Sequence, residues 1–94
     1  MKNIFKDAMK LQERLREELQ KIRVEGSAGG GMVRIEMDGE QNVISIKIEP
    51  QIITENDINM LQDLIIAAFN DAQNKAKEKA QECLASLTGL PFFK

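Results

Sequence analysis

The fold is decided by residues 33–48, which read VRIEMDGEQNVISIKI. Apolar and polar residues alternate within 33–37 and again within 44–48. A period of two is the pattern of a strand that buries one face, and the turn-forming residues between the two runs predict an antiparallel β-hairpin.

Two registers are compatible with this hairpin. A tight turn centred on residues 41–42 sets Glu36 opposite Lys47 and Arg34 opposite Glu49, whereas a looser loop sets Arg34 opposite Lys47. Opposite charges that face each other across two strands stabilise the pair. We therefore expect the tight register.

Glycine-rich sequence separates the hairpin from the N-terminal part of the chain. Residues 24–28 predict a short third strand beside the first strand of the hairpin, since a two-stranded sheet is marginally stable on its own. Before it, residues 4–22 predict an amphipathic helix, because apolar residues recur at steps of three and four. This apolar stripe consists of Ile4, Ala8, Leu11, Leu15, Leu19 and Ile22.

A long helix is predicted after the hairpin. Pro50 ends the sheet, and Thr54 occupies the position of a helix N-cap, with acidic residues following it. No glycine or proline interrupts the helical pattern until Gly89. Such a helix is about 48 Å long, whereas a compact domain of this size is about 30 Å across. The helix must therefore project from the domain or break, and Asn74 is the candidate position for a break.

The first half of this helix is apolar on more than one side. One short helix and a small sheet cannot cover all of it, so we expect a homodimer. We expect the whole chain, residues 1–94, to form one α+β domain. The predicted dimer interface comprises Ile58, Leu61, Leu64, Ile65, Ala68 and Phe69.

The composition excludes most enzyme chemistry. The 94 residues include no His, Trp or Tyr and one Cys, which removes conventional catalytic triads, zinc sites and internal disulfides. The glycines of residues 26–31 lack the Lys-Ser/Thr of a phosphate-binding loop and lead into a strand. Asp38, Glu40 and Glu49 lie at strand ends, where solvated acids are ordinary. We expect no catalytic site, metal, cofactor or small-molecule substrate.

The chain contains no apolar run long enough to span a membrane and no signal-peptide core. Because a free Cys also fits a reducing compartment, we expect a cytoplasmic protein without a membrane partner.

The remaining candidate site is cationic. Residues 1–24 carry a net charge of +3, from seven basic and four acidic residues. Basic residues at steps of four form a strip beside the apolar stripe, and a second cluster lies on the long helix. Such a strip can follow a phosphate backbone, and a dimer would double it. The candidate DNA-binding residues are Lys2, Lys6, Lys10, Arg14, Lys75, Lys77 and Lys79.

Three stretches of the chain resemble the YbaB/EbfC family of small bacterial nucleoid-associated proteins. They are residues 30–39 (GGMVRIEMDG), the strand 44–48 with its Glu49-Pro50 ending, and residues 60–72 (MLQDLIIAAFNDA), the most specific of them. Residues 88–91 (TGLP) also suit the family. The resemblance implies a tweezer-shaped homodimer in the bacterial cytoplasm, associated with the nucleoid, that binds double-stranded DNA with low or modest sequence preference and bends or coats it.

Two hypotheses for the function follow. The preferred one is DNA binding by a homodimer, mainly through phosphates, with an effect on DNA compaction and gene expression. The alternative is a protein-interaction or chaperone-like module that holds a protein partner between its helical arms, which the acidic isoelectric point of about 5.2 makes reasonable.

Overall fold

The chain forms two long helices and a three-stranded sheet in the predicted order, with one short helix in addition. The computed structural model describes residues 3–54 and 57–89. The strands form one antiparallel sheet in the order β1-β2-β3. The α+β class and the third strand are thereby confirmed. The elements are α1 (Ile4–Lys21), β1 (Val24–Ala28), β2 (Val33–Met37), β3 (Val43–Ile48), α2 (Pro50–Thr54) and α3 (Ile58–Thr88).

Helix α1 is attached to the sheet at its C-terminal end. Its N-cap is Asn3, whose side-chain oxygen accepts a hydrogen bond from the Lys6 N–H. At the other end, the Gly39 N–H donates to the Leu19 carbonyl oxygen over 2.9 Å. A Cβ at position 39 would lie 2.7 Å from that oxygen, so this approach requires glycine.

The expected hairpin register is wrong, and the looser alternative is observed. Arg34 faces Lys47, and a bulge next to Met37 follows. The cause is the loop 38–42, in which the nearly buried Asp38 carboxylate accepts hydrogen bonds from the N–H groups of Glu40 and Asn42 and from the Asn42 side chain. Each such bond to a charged group is worth about 1.5–3 kcal/mol, more than an exposed cross-strand charge pair at about 0.2–1 kcal/mol.

Helix α3 begins later than the sequence predicts. Asp57 caps it by accepting a hydrogen bond from the Met60 N–H over 2.9 Å, whereas Thr54 is the last residue of α2. Helix α2 is not apparent from the sequence, where Pro50 reads as the end of the sheet. Proline is well tolerated in the first turn of a helix, and Pro50 begins α2.

The long helix is continuous and projects from the sheet. It runs for 31 residues through Asn74 without a break and ends at Gly89, whose φ of 72° is left-handed. The molecule is 66 Å long but only 24 and 16 Å in its other dimensions. The sequence allowed either a projecting helix or a broken one, and the protein has the projecting helix.

Helix α3 packs on the sheet through small residues. The subunit itself covers the apolar first half of this helix only in part, since Ile58 and Ile66 are 67% and 58% exposed. The fully buried residues of α3 are Ala68, Ala72 and Ala76, which allow the helix backbone to approach β1 closely. The rest of the core comes from the inner face of β1 and β2 and from α2, as Val24, Val33, Ile35, Met37 and Ile52.

Candidate nucleic-acid interface

A helical arm, formed by α1 and residues 77–88 of α3, extends from the sheet. Both helices are anchored at the loop 38–42: Leu19 accepts from Gly39, and the Gln73 side chain donates to that of Gln41 over 2.9 Å. The two helices contact each other. From these anchors α1 runs back to Ile4 and α3 runs on to its C-terminus, each for about 22–24 Å.

Three candidate DNA-binding residues form an exposed row on α1. Lys6, Lys10 and Arg14 follow one another at steps of four, so neighbouring side chains are about 6 Å apart along the helix axis. All three are exposed, and no ion pair holds them within residues 3–54 and 57–89. We call Lys6, Lys10 and Arg14 the cation row. Lys2 lies outside the described residues.

The three candidate cations on α3 differ from one another. Lys75 is held against the sheet: its ammonium donates to the Glu25 carbonyl oxygen over 2.9 Å and to Asp71 over 3.1 Å. Lys79 forms an exposed ion pair with Glu82 at 3.6 Å. Lys77 is exposed. The cluster therefore divides into a structural residue, Lys75, and two residues on the arm.

The contact at Lys75 belongs to an attachment between α3 and the edge strand β1. Asp71 accepts from the backbone N–H of Ser27 over 3.0 Å. This hydrogen bond and the one from Lys75 outweigh the effect of burial and lower the pKa of the Asp71 carboxyl below its ordinary value. The spacing of Asp71 and Lys75, four residues apart on a helix, was the signal in the sequence for this pair.

The residues predicted for the dimer interface lie in three different environments. Ala68 is completely buried against β1 of its own chain, so a partner cannot reach it. Ile58 is exposed. The other four are half-buried and pack against the edge of the core, and they are Leu61, Leu64, Ile65 and Phe69.

The sequence analysis missed an apolar surface on β3. Ile46 pairs with the buried Ile35 and so lies on the inner face of the sheet, yet Ile44 and Ile46 are each 46% exposed. Helix α3 lies over β1, where a Cβ on Gly26 would overlap the Ala72 backbone. A helix about 10 Å across covers only about two strands spaced 4.8 Å apart. The sequence predicts three strands and one long helix to cover them, and this ratio was the signal that one strand would stay uncovered.

One flank of α3 continues the apolar surface of β3. Asp71 bonds to β1 on one side of the helix, whereas Gln73 bonds to the β2–β3 loop on the other. Ile65 and Phe69 precede Gln73 at steps of four, so they lie on the flank nearer to β3. We define the β3 surface as Ile44 and Ile46 of β3 together with Ile58, Ile65 and Phe69 of α3.

The Asp38 carboxylate in the hairpin loop has a structural role. Burial disfavours the charged form of Asp38, but the hydrogen bonds from the Asn42 N–H, the Asn42 side chain and the Glu40 N–H outweigh it and lower the pKa of this carboxyl. No group of three or more potential metal ligands occurs in the described part of the chain.

Among the helices within residues 3–54 and 57–89, none is both long and apolar enough to cross a membrane.

Comparisons with known proteins give a consistent result. Residues 1–90 match the model of the YbaB/EbfC DNA-binding family. A nucleoid-associated protein of Dictyoglomus turgidum is 47% identical over 98% of this chain and 95% of its own length. Another from Legionella pneumophila is 44% identical over 92% of this chain and 79% of its own.

A solved structure is also similar in fold. The crystal structure of an uncharacterized protein from Helicobacter pylori superposes with a TM-score of 0.70 at 20% sequence identity. The superposition covers 87% of this chain and 95% of that chain.

Proposed function

Because the chain belongs to the YbaB/EbfC DNA-binding family, we propose that it binds double-stranded DNA as a homodimer whose cation row contacts phosphates. The single observation that carries the proposal is the row itself: Lys6, Lys10 and Arg14 are exposed, aligned and without ion pairs in the described chain. Since relatives are named nucleoid-associated proteins, we place its action on the bacterial nucleoid.

The dimensions of the cation row suit a phosphate backbone. From Lys6 to Arg14 the row is about 12 Å long, a distance over which one DNA strand presents about three or four phosphates. Lysine contacts to phosphate position a protein on the duplex without distinguishing bases. The binding should therefore show low or modest sequence preference.

A second copy of the chain is the proposed cover of the β3 surface. Ile44, Ile46 and Ile58 expose apolar area on the face that forms the core of the subunit elsewhere. Burying such a patch is the main source of favourable free energy in protein association. Two subunits joined here hold two arms and two cation rows on one shared core, a tweezer-like arrangement. Such a dimer can contact separate stretches of a duplex and so bend or compact it.

The proposal predicts a steep dependence of affinity on salt. Two rows give about six phosphate contacts per dimer, so the affinity should fall about a thousandfold between about 50 and 200 mM salt. Fluorescence anisotropy with a labelled duplex of random sequence measures this. Absence of binding at the lowest salt concentration would refute DNA binding for this protein.

Charge reversal identifies the surface. Lys10→Glu removes a proposed contact in each subunit and should weaken binding about tenfold or more, which corresponds to about 1.4 kcal/mol or more. The matched control is Lys47→Glu, which makes the same change in net charge on the outer face of the sheet and relieves a repulsion with Arg34. If both variants weaken binding equally, the effect comes from total charge and the cation row is not the contact surface.

A further inference from the structure

Two large apolar side chains at the start of α1 are largely exposed in the described part of the chain. Phe5 is 81% exposed and Met9, one turn later, is 67% exposed. Neither belongs to the apolar stripe of α1: Phe5 is rotated by about 100° from Ile4 around the helix. Phe5 therefore lies off the face of α1 that carries the stripe.

The position of these side chains is at the outer end of the helical arm. Phe5 is fourteen residues before Leu19, where α1 is attached to the sheet, which is about 21 Å along the helix. The β3 surface lies on the sheet and on the first part of α3 and does not include Phe5. The chemistry around Phe5 has to indicate its partner.

Two exposed lysines lie beside Phe5 and favour an anionic partner, with one acidic residue, Asp7, on the same turns. Lys6 and Lys10 lie next to Phe5 and Met9 on the same two turns, both exposed and both outside any ion pair in the described chain. An exposed aromatic ring beside cations suits a DNA duplex, which presents phosphates outside and an apolar stack of bases inside. Proteins that kink DNA insert such apolar side chains between base steps.

We propose that Phe5, with Met9 behind it, is a wedge that inserts between base pairs while Lys6 and Lys10 hold the adjacent phosphates. This inference rests on the proposed DNA binding and adds how the duplex is deformed. The wedge unstacks one base step, which unwinds and kinks the duplex at each bound arm. Flexible base steps become preferred sites, although no hydrogen bond reads their sequence.

Unwinding of closed circular DNA tests the wedge. A relaxed plasmid is treated with topoisomerase in the presence of saturating protein, and its linking number is measured after the protein is removed. We expect the parent protein to lower the linking number, Phe5→Ala to lose about half of this change or more, and Phe5→Leu to retain most of it. Ile4→Ala is the matched control, since Ile4 is equally exposed but lies on the stripe; it should keep the change.

Affinity is measured in parallel to separate the wedge from DNA binding itself. Phe5→Ala should bind within about threefold of the parent with the same salt dependence, since phosphate contacts supply most non-specific affinity. The wedge is refuted, while DNA binding stands, if the parent binds DNA without changing the linking number. The same holds if Phe5→Ala lowers the linking number as much as the parent does. If the parent does not bind DNA, the proposed function fails first.

Two further results would assign Phe5 to a protein contact and refute the wedge. One is a lower melting temperature of free Phe5→Ala than of free Phe5→Leu, which would place the ring against another part of the chain. The other is dissociation of Phe5→Ala in sedimentation under conditions where the parent stays associated, which would place the ring between subunits.

Discussion

Gly26 of β1 lies directly against the backbone of Ala72 in α3, and the Ala68 carbonyl oxygen lies next to that contact. A Cβ at position 26 would overlap the Ala72 nitrogen and lie 2.7 Å from the Ala72 Cα. The contact joins the edge strand to the long helix, and backbone atoms of a helix cannot move aside as a flexible side chain can. The missing side chain at position 26 allows this close approach of α3 to β1.

Gly26→Ala should therefore destabilise the protein by about 3 kcal/mol or more, at or beyond the upper end for overpacked sites. The measurement is urea denaturation followed by circular dichroism. Ser27→Ala is the control, because the Ser27 side chain is exposed and only its backbone N–H bonds to Asp71. Equal stability of the parent and Gly26→Ala would show that the helix and strand are farther apart than described.

A charge on the inner face of β3 should separate the subunits. Ile46→Lys places an ammonium in the proposed apolar interface, where an unpaired charge is strongly unfavourable. Sedimentation should then show monomers at concentrations where the parent is dimeric. Ser45→Lys is the control on the other face of the same strand, opposite Glu36, and should stay dimeric. Dissociation of both variants, or of neither, would contradict the proposed surface.

Lys75 and Lys77 should differ in their effects although they are two residues apart. Lys75→Ala loses the bonds to Glu25 and Asp71 and should lower the free energy of unfolding by about 1 kcal/mol without changing the salt dependence of DNA binding. Lys77→Ala should leave stability within about 0.5 kcal/mol of the parent but reduce the slope of log affinity against log salt by about one or two. If Lys75→Ala instead reduced the salt dependence of DNA binding and left stability unchanged, Lys75 would have to leave β1 to bind DNA.

Acid should destabilise the fold through Asp38 and Asp71. Both carboxyls have a pKa below the value of 3.8 that they take in an unfolded chain, so the unfolded state binds more protons as the pH falls. Their contribution to stability is complete well above pH 3.8 and is lost as the pH falls from there through the folded pKa. Melting temperatures between neutral pH and about pH 3 measure this loss.

The variants Asp38→Asn and Asp71→Asn identify the source of the acid sensitivity. Each should melt at a lower temperature than the parent at neutral pH and lose less stability on acidification. Parallel curves for all three proteins would assign the acid sensitivity to other carboxyls.

The hairpin shows which features of a strand pair can be predicted from its sequence. Alternation assigned the residues of β2 and Ile46 of β3 to the correct face, but it did not foresee the bulge that sets Val43 opposite the buried Met37. The two candidate registers differ by two residues, however, and a shift of two keeps every side chain on its face. Alternation could not choose between them, and the charges that favoured the wrong register lie on the solvent face, where water weakens them. The choice depends on the hydrogen bonds that Asp38 accepts from Glu40 and Asn42, which form within the looser loop 38–42 and do not follow from alternation.

The local patterns of the sequence determined the elements of this protein: the two long helices, the three strands and the glycine that ends α3. They are determined locally because periodicity and turn residues act over a few neighbours along the chain. Only the tertiary structure decided which residues of these elements pack against each other. It placed small alanines, instead of the large apolar residues of α3, at the closest contact with the sheet. It bound Lys75 to β1 and left the inner face of β3 uncovered. These outcomes depend on how near two backbones can approach and on how many strands one helix can span, which are distances between parts of the chain far apart in sequence.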